Sequence, residues 1–341
     1  MDSLTQIALG ACTAAVCVPP NHRRRAIVAG ALLGTLPDLD VAIDFGGPVE
    51  DFTMHRGFSH SLFVLAPLSL VIWLLLRRWW SPVREAPRAW LAAVGLALLT
   101  HPLLDAHTAY GTQLFWPLET PPVSWATVFI IDPLYTLPLL VGAIVVLVRP
   151  ISTRSRAWLV AGLALSTAYL GWSWIAREMV LANARASLAS AGMSNARIFA
   201  TPSPLNTLLW RVVAIDAPAV DGTLRRLAGR QFEGLDSLVA DDGPIEFTEI
   251  PSDGDTLAAA ADVPAVARLA WFADGFVGGR VEGDELIVTD LRMGQHPDYV
   301  FQHVVATRGN PHWHPIDARR VPNTMRADRL VGMWDRIWRA P

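Results

Sequence analysis

Six apolar stretches, residues 4–18, 26–36, 60–76, 89–104, 128–148 and 157–175, dominate the first half of this chain and constrain what it can fold into. Backbone amides placed in hydrocarbon have no water to bond, so such stretches satisfy them internally as helices. Several of the six fall short of the roughly 20 residues that a full span needs. The expected architecture is therefore a polytopic α-helical membrane bundle of about six segments, some of them short and ending in the headgroup region or around a polar pocket. Composition agrees, with 52% hydrophobic and 17% charged residues, against about 25% charged in an ordinary soluble domain.

The N-terminal MDSLTQIALGACTAAVCV begins with an acid, and its positive run, His22 to Arg25, follows the apolar residues. It reads as a retained helix and not as a signal peptide. The chain has no lysine and a net charge of −3, so it lacks the broad basic field that a nucleic-acid partner requires. The arginines of its apolar first half gather in three connections: Arg23 to Arg25; Arg77, Arg78, Arg84 and Arg88; and Arg149, Arg154 and Arg156. The positive-inside rule makes these loops cytoplasmic in a multi-pass protein of the cytoplasmic (inner) membrane.

From about Ser194 the composition changes to mixed polarity, with Asp221-Gly222, Asp242-Gly243 and Asp253-Gly254 turn signals and strand-like LLWRVVAI, IEFTEI, ELIVTDL and YVFQHVVAT. Residues 1–193 are thus expected to form the membrane domain, and 194–341 a soluble α+β domain with an antiparallel sheet. The count of crossings places the soluble domain outside the cytoplasm. No internal repeat or low-complexity tract stands out.

The connections opposite the arginines carry Asp38 and Asp40 in LPDLD, His55 and His60 in HRGFSH, His101, Asp105 and His107 in HPLLDAH, and Asp132 in IIDP. His101 and Asp105 share a helical face if Pro102 does not break the helix. Each acid alone could cap a helix, but caps do not call for histidines. A cluster of acids and imidazoles beside a bilayer is costly unless a shared cation neutralises it. Asp38, Asp40, His55, His60, His101 and Asp105 are therefore candidate ligands of a divalent metal, zinc first, with manganese and magnesium as alternatives.

Arg56, between the two histidines and before Gly57, suits a fork onto phosphate or carboxylate, or else a lipid headgroup. Ser59 lacks a nucleophile elbow and reads as a helix start. Cys12 and Cys17 fit packing better than ligation. His296, His303, His312 and His314 raise a second metal site, but NPHWHP reads as a proline-bounded surface loop.

MDSLTQIALG, LPDLD, HRGFSHS, THPLLDAHTAYGTQLFWP and FIIDPLYTLPLL together resemble the YdjM-type family of membrane-bound metal-dependent hydrolases. The resemblance is strong over about the first 150 residues. TPSPLNTLLWRVVA, RLAWFADGF and IVTDLRMGQ, the last at residues 287–295, look like the longer members. Many members carry a histidine after the threonine near the N-terminus; here Gln6 follows Thr5, and an amide is a poor zinc ligand.

The resemblance implies a membrane enzyme in which a divalent ion activates water, with Asp38, Asp40, His55, His60, His101, Asp105 and also Asp132 at matching positions. Asp40 or Asp132 would take the proton, and Arg56 would steady the developing negative charge. A site at the membrane surface points to a lipid-derived or phosphoester substrate. The rival reading is a membrane scaffold or binding protein with a structural metal and a partner-recruiting soluble domain. A transporter fits less well, because its charges should be spread through membrane depth.

Overall fold

The computed structural model describes residues 1–149, 153–217, 225–240, 243–309, 312–322, 332 and 334–338. It divides into two compact units. The first comprises Met1–Ile43 and His55–Trp174; the second comprises Asp44–Met54 and Ile175–Pro341. The expected boundary at 193/194 lies just beyond the helix within which the units divide.

Each of the six apolar segments supplies a helix: α1 Ser3–Cys17, α2 Arg23–Thr35, then, after the short α3 Pro48–Met54, α4 Leu62–Trp79. After the short α5 Ser81–Glu85 follow α6 Pro87–Asp105, α7 Pro133–Val148 and α8 Thr153–Ser190. Two of them, α4 and α8 over Ser155–Ser190, are long and apolar enough to cross a membrane, whereas α1 and α7 are apolar but shorter. α7 starts later than the apolar run 128–148 suggests, because Pro133 occupies its first turn and Asp132 caps it. Pro102 lies inside α6 without ending it.

α1 is the buried axis of the first unit and packs against α2, α6 and α7. Ala8, Leu9, Ala11, Cys12, Ala14 and Ala15 are all enclosed. The crossing with α2 depends on glycine: a Cβ on Gly10 would collide with the Gly30 carbonyl, and one on Gly34 with the carbonyl of Gln6. Small residues let two helix backbones approach where lipid offers no hydrophobic drive to association. Cys12 Sγ rests 3.2 Å from Leu139 O and Cys17 Sγ 3.2 Å from Thr13 O, as free thiols.

The outward faces of α4 (Leu70, Val71, Leu74, Leu75) and α7 (Leu137, Val141, Ile144) are apolar and exposed, a pattern that suits lipid and not water. The arginine-bearing ends meet at one end of the unit. Arg23 donates to Ser155 Oγ at 3.0 Å, Arg24 to the Arg149 carbonyl at 2.8 Å, and His22 lies 3.0 Å from Glu85.

In the second unit, β1 Arg197–Pro202, β2 Leu209–Asp216, β3 Arg230–Ser237 and β4 Thr248–Ile250 form an antiparallel sheet in chain order. The short helices α9 Gly254–Ala259 and α10 Pro264–Phe272 precede β5 Val277–Glu282 and β6 Glu285–Asp290. A small hairpin, β7 Gly294–Gln295 and β8 Asp298–Tyr299, leads to β9 Gln302–Arg308 and β10 Trp313–Arg320. The second antiparallel sheet runs β10-β9-β6-β5. Ala176, Val180, Leu181 and Ala184 of α8 pack on Ala200, Trp210 and Val212 of the first sheet.

β3 escapes a pattern reading because its inward residues include Gln231 and Glu233, the latter accepting from Arg211 Nε at 2.9 Å. Asp253 caps α9 and does not form a hairpin turn. Asp221, Gly222 and Asp242 lie outside the described residues. So do Asn310 and Pro311, and the rest of the expected NPHWHP loop leads into β10, with His314 paired to Thr307.

α3 contributes Phe52 to the second unit's core, stacked 4.4 Å from Phe301 and 4.8 Å edge-on to Phe272. His303, buried 5.5 Å from the same ring, has its pKa pushed down to about 4 by burial and by Arg320, against a smaller opposing pull from Asp290.

Two outcomes follow. Gly30→Val should cost about 3 kcal/mol through forced separation of α1 and α2, read by unfolding in detergent, while Gly171→Ala, with open space around it, should be near neutral. For His303 the folded state disfavours the proton, so stability is complete above the usual histidine value of about 6.5 and falls as pH drops toward 4. His303→Gln should flatten that part of the stability profile.

Candidate metal centre

Four side chains converge at the end of the first unit opposite the arginines. Asp38 comes from the 3-10 turn Pro37–Ala42 after α2, and His60 from the 3-10 turn Phe58–His60 before α4. His101 and Asp105 come from the last turn of α6. Their ligand atoms all lie within 4.8 Å of one another. His60 Nε2 is 3.1 Å from His101 Nε2, 3.4 Å from Asp38 Oδ1 and 3.2 Å from Asp105 Oδ2. His101 Nε2 is 3.4 Å from each of the same two carboxylate oxygens. A tetrahedral zinc with bonds of about 2.0–2.1 Å sets its ligands about 3.3–3.4 Å apart, so five of these separations fit one ion.

The far sides of both imidazoles are already bonded. His101 Nδ1 donates to the Gly34 carbonyl at 2.6 Å. His60 Nδ1 lies 2.9 Å from Ser59 Oγ, whose hydroxyl donates to Asp40 Oδ2 at 2.5 Å. Those bonds assign the proton to Nδ1 and turn the Nε2 lone pair of each ring toward the group, the arrangement that second-layer partners impose on metal-binding histidines. Asp105 is held in the same way: Gln6 Nε2 donates to Oδ1 at 3.0 Å, and the Met1 amine abuts the same oxygen. Its other oxygen, Oδ2, is buried without a hydrogen bond among the described residues and faces the imidazoles.

Asp40 and His55 are placed one layer out. Asp40 accepts from His55 Nδ1 at 2.8 Å and from the Arg56 amide at 3.0 Å as well as from Ser59. Burial alone would raise the Asp40 carboxyl, but the His55 and Ser59 bonds outweigh it and hold it below the usual carboxylate range. Arg56 adopts a left-handed backbone, φ +61°, so His55 turns to Asp40 while the guanidinium turns inward. Its Nε lies 3.3 Å from Asp105 Oδ2, Nη1 donates to Thr108 Oγ1 at 3.1 Å, and the group sits 5.0 Å above the Tyr110 ring. Arg56 therefore partners a candidate ligand.

Asp132 is not part of the group. It caps α7 through Leu134 N at 3.0 Å and accepts from Tyr169 at 2.8 Å. His107 bonds Leu103 O and packs between Trp125 and Trp174. Ser61, not Ser59, caps α4. Among the described residues no second set of histidines and acids converges. The sequence reading missed Ser59 as a link to His60 and Gln6 as a clamp on Asp105; the Ser-His pair and the position of Gln6 one turn into α1 were the available signals.

Two aspartates and two histidines held at one end of an apolar helical bundle define a membrane protein with a group that could bind a metal ion. Residues 1–180 match the YdjM inner membrane protein family, and the chain belongs to that family. It is similar to inner membrane protein YbcI of Escherichia coli strain K12, 36% identical over 100 residues, which are 29% of this chain and 54% of that protein. The chain thus spans about half the length of the curated relative it matches. No solved structure matches.

Ser59→Ala should weaken zinc binding by about 10- to 100-fold, measured by competition with a chromophoric chelator. Asp132→Ala should leave that affinity unchanged and cost about 1 kcal/mol of stability through the lost cap.

Proposed function

We propose that this protein is a metal-dependent hydrolase of phosphoesters at the outer face of the cytoplasmic membrane. The observation that carries the reading is the set of 3.1–3.4 Å separations between two imidazole nitrogens and two carboxylate oxygens, each imidazole fixed from behind. Two nitrogen donors favour zinc over magnesium, with manganese as the alternative. When bound, such an ion would supply an acidified water and a Lewis acid.

The chain's own residues do the rest. Asp38 is the accessible edge of the group, its side chain 23% exposed, and marks where substrate arrives. Arg56 offsets the negative charge of Asp105 and steadies charge developing beside it. Asp40 orients His60 through Ser59 and is a positioning residue. Hydrolysis adds water to phosphorus and breaks its ester P–O bond, the leaving oxygen taking a proton. Six crossings, with the arginine ends in the cytoplasm and residues 194–341 outside, complete this reading. The gathering of arginine-bearing connections at the end opposite the acids supports it.

One observation favours the rival scaffold with a structural metal. Four protein groups converge and would by themselves fill a tetrahedral zinc shell, whereas catalytic zinc usually keeps one position open. The readings separate on metal removal. A catalytic ion should leave with helicity retained, and phosphoester cleavage should appear with zinc or manganese and fall to background in His60→Ala and His101→Ala. Unfolding on chelation, with no cleavage by the loaded protein, would transfer the assignment to the scaffold.

A further inference from the structure

We propose that the second unit rests on the bilayer surface through the loop tip at Leu205, the strand end at Val239 and the tryptophans Trp334 and Trp338, which seat in the headgroup region. The partner is a lipid surface, and the inference stands whatever the metal centre does.

Among the described residues the second unit exposes six large apolar side chains, Ile175, Met179, Leu205, Val239, Trp334 and Trp338, and all of them lie at one end of it. The first sheet defines that end. Pro202 is opposite Trp210 and Leu209 opposite Ser237, so the end of β1, the start of β2 and the end of β3 coincide. Ala176 and Val180 of α8 share a cluster with Trp210 and Leu238, whereas Leu188 packs with Ala214 and Phe232 farther along the strands. Ile175 and Met179 therefore belong to the end where β2 starts. Leu238 N donates to Leu208 O at 2.8 Å, which ties the loop 203–208 to the strand end that carries Val239. Ser237 Oγ donates to Ile337 O at 2.8 Å and draws the C-terminal turn to the same place. There Ile337 is enclosed, while Trp334 and Trp338 are 51% and 60% exposed.

The loop tip is held in place. Leu205 has a left-handed backbone, φ +66°, which is unfavourable for a residue with a Cβ. Asn206 braces it: Oδ1 accepts from Leu208 N and Leu209 N at 2.9 Å each, and Nδ2 donates to Pro204 O at 2.9 Å. The result is an apolar side chain at a tip where loops in water usually show a polar one, and a grouped apolar surface of this kind marks a contact. The opposite end of the same sheet is charged, with Asp216 opposite Arg230 and Arg230 Nη2 2.6 Å from Glu249. Lipid is the occupant because α8 leads out of the apolar end. Read toward its N-terminus, that membrane-length helix exposes Trp172, Leu165, Val160 and Trp158. Tryptophan, an apolar ring with one N–H, collects where hydrocarbon gives way to headgroups.

The test uses the full chain in phosphatidylcholine nanodiscs, with Cys12→Ala and Cys17→Ala and one fluorescent label on Leu205→Cys, Val239→Cys or Glu249→Cys in turn. Quenching by a nitroxide on the lipid headgroup is compared with quenching by iodide in the water. Labels at 205 and 239 should be quenched by the headgroup nitroxide and shielded from iodide, and the label at 249 should show the reverse. Iodide quenching at 205 and 239 equal to that at 249 overturns the proposal. Shielding from both quenchers also overturns it, because a protein partner or a second copy would then cover the patch. Trp334→Ser with Trp338→Ser, both exposed, should bring loss of the headgroup quenching at 239. Unchanged quenching in that variant would mean that the tether of α8 alone keeps the unit near lipid, and would overturn the anchoring.

Discussion

Two carboxylate oxygens and two imidazole nitrogens converge, five of their separations at 3.1–3.4 Å and the group largely enclosed, and they require positive charge beside them, part of which Arg56 and the Met1 amine supply at Asp105. In a medium of low dielectric the repulsion and lost hydration of such a group are prohibitive without protons or a cation. The rest of the first unit is arranged around that requirement. α2 approaches α1 closely because Gly10, Gly30 and Gly34 remove the side chains that would separate them. That approach places the Gly34 carbonyl where His101 can donate to it. α6 runs through Pro102 and ends at Asp105, so the i, i+4 pair shares one face.

The outer layer does comparable work. Ser59 bridges His60 and Asp40, Gln6 holds Asp105 Oδ1, and Arg56 is drawn in beside Asp105 Oδ2. Each bond removes a freedom that would let a ligand atom turn away. Between LPDLD and HRGFSH, Asp44–Met54 belongs to the second unit, where α3 is anchored by Phe52 among Phe272, Phe301 and His303. The two ligand-bearing turns are therefore tied covalently to a segment whose packing is decided elsewhere.

Much of this was legible in the sequence. Apolar runs gave helices because a backbone among apolar groups has one economical way to bond itself, and the His101/Asp105 spacing gave a shared face. What sequence could not rank was which acid does what. Asp38 and Asp40 differ by two residues in a 3-10 turn, which turns one to the inner group and the other to the layer behind it. Asp132 had the composition of a ligand and the position of a cap, and Pro133 was the sign that the cap would win. α3 was invisible because it is only seven residues long, too short for Val49 and Phe52 on its buried face to stand out as a period. β3 was missed because its buried residues are polar and paired.

X-ray absorption at the metal edge of zinc-loaded, membrane-extracted protein tests the central claim most directly. The account predicts one ion per chain in a four-coordinate nitrogen and oxygen shell at about 2.0–2.1 Å, with the outer-shell scattering of two imidazoles, halved in His101→Ala. A zinc shell without imidazole scattering, or no bound zinc in protein that keeps its helicity, would contradict it.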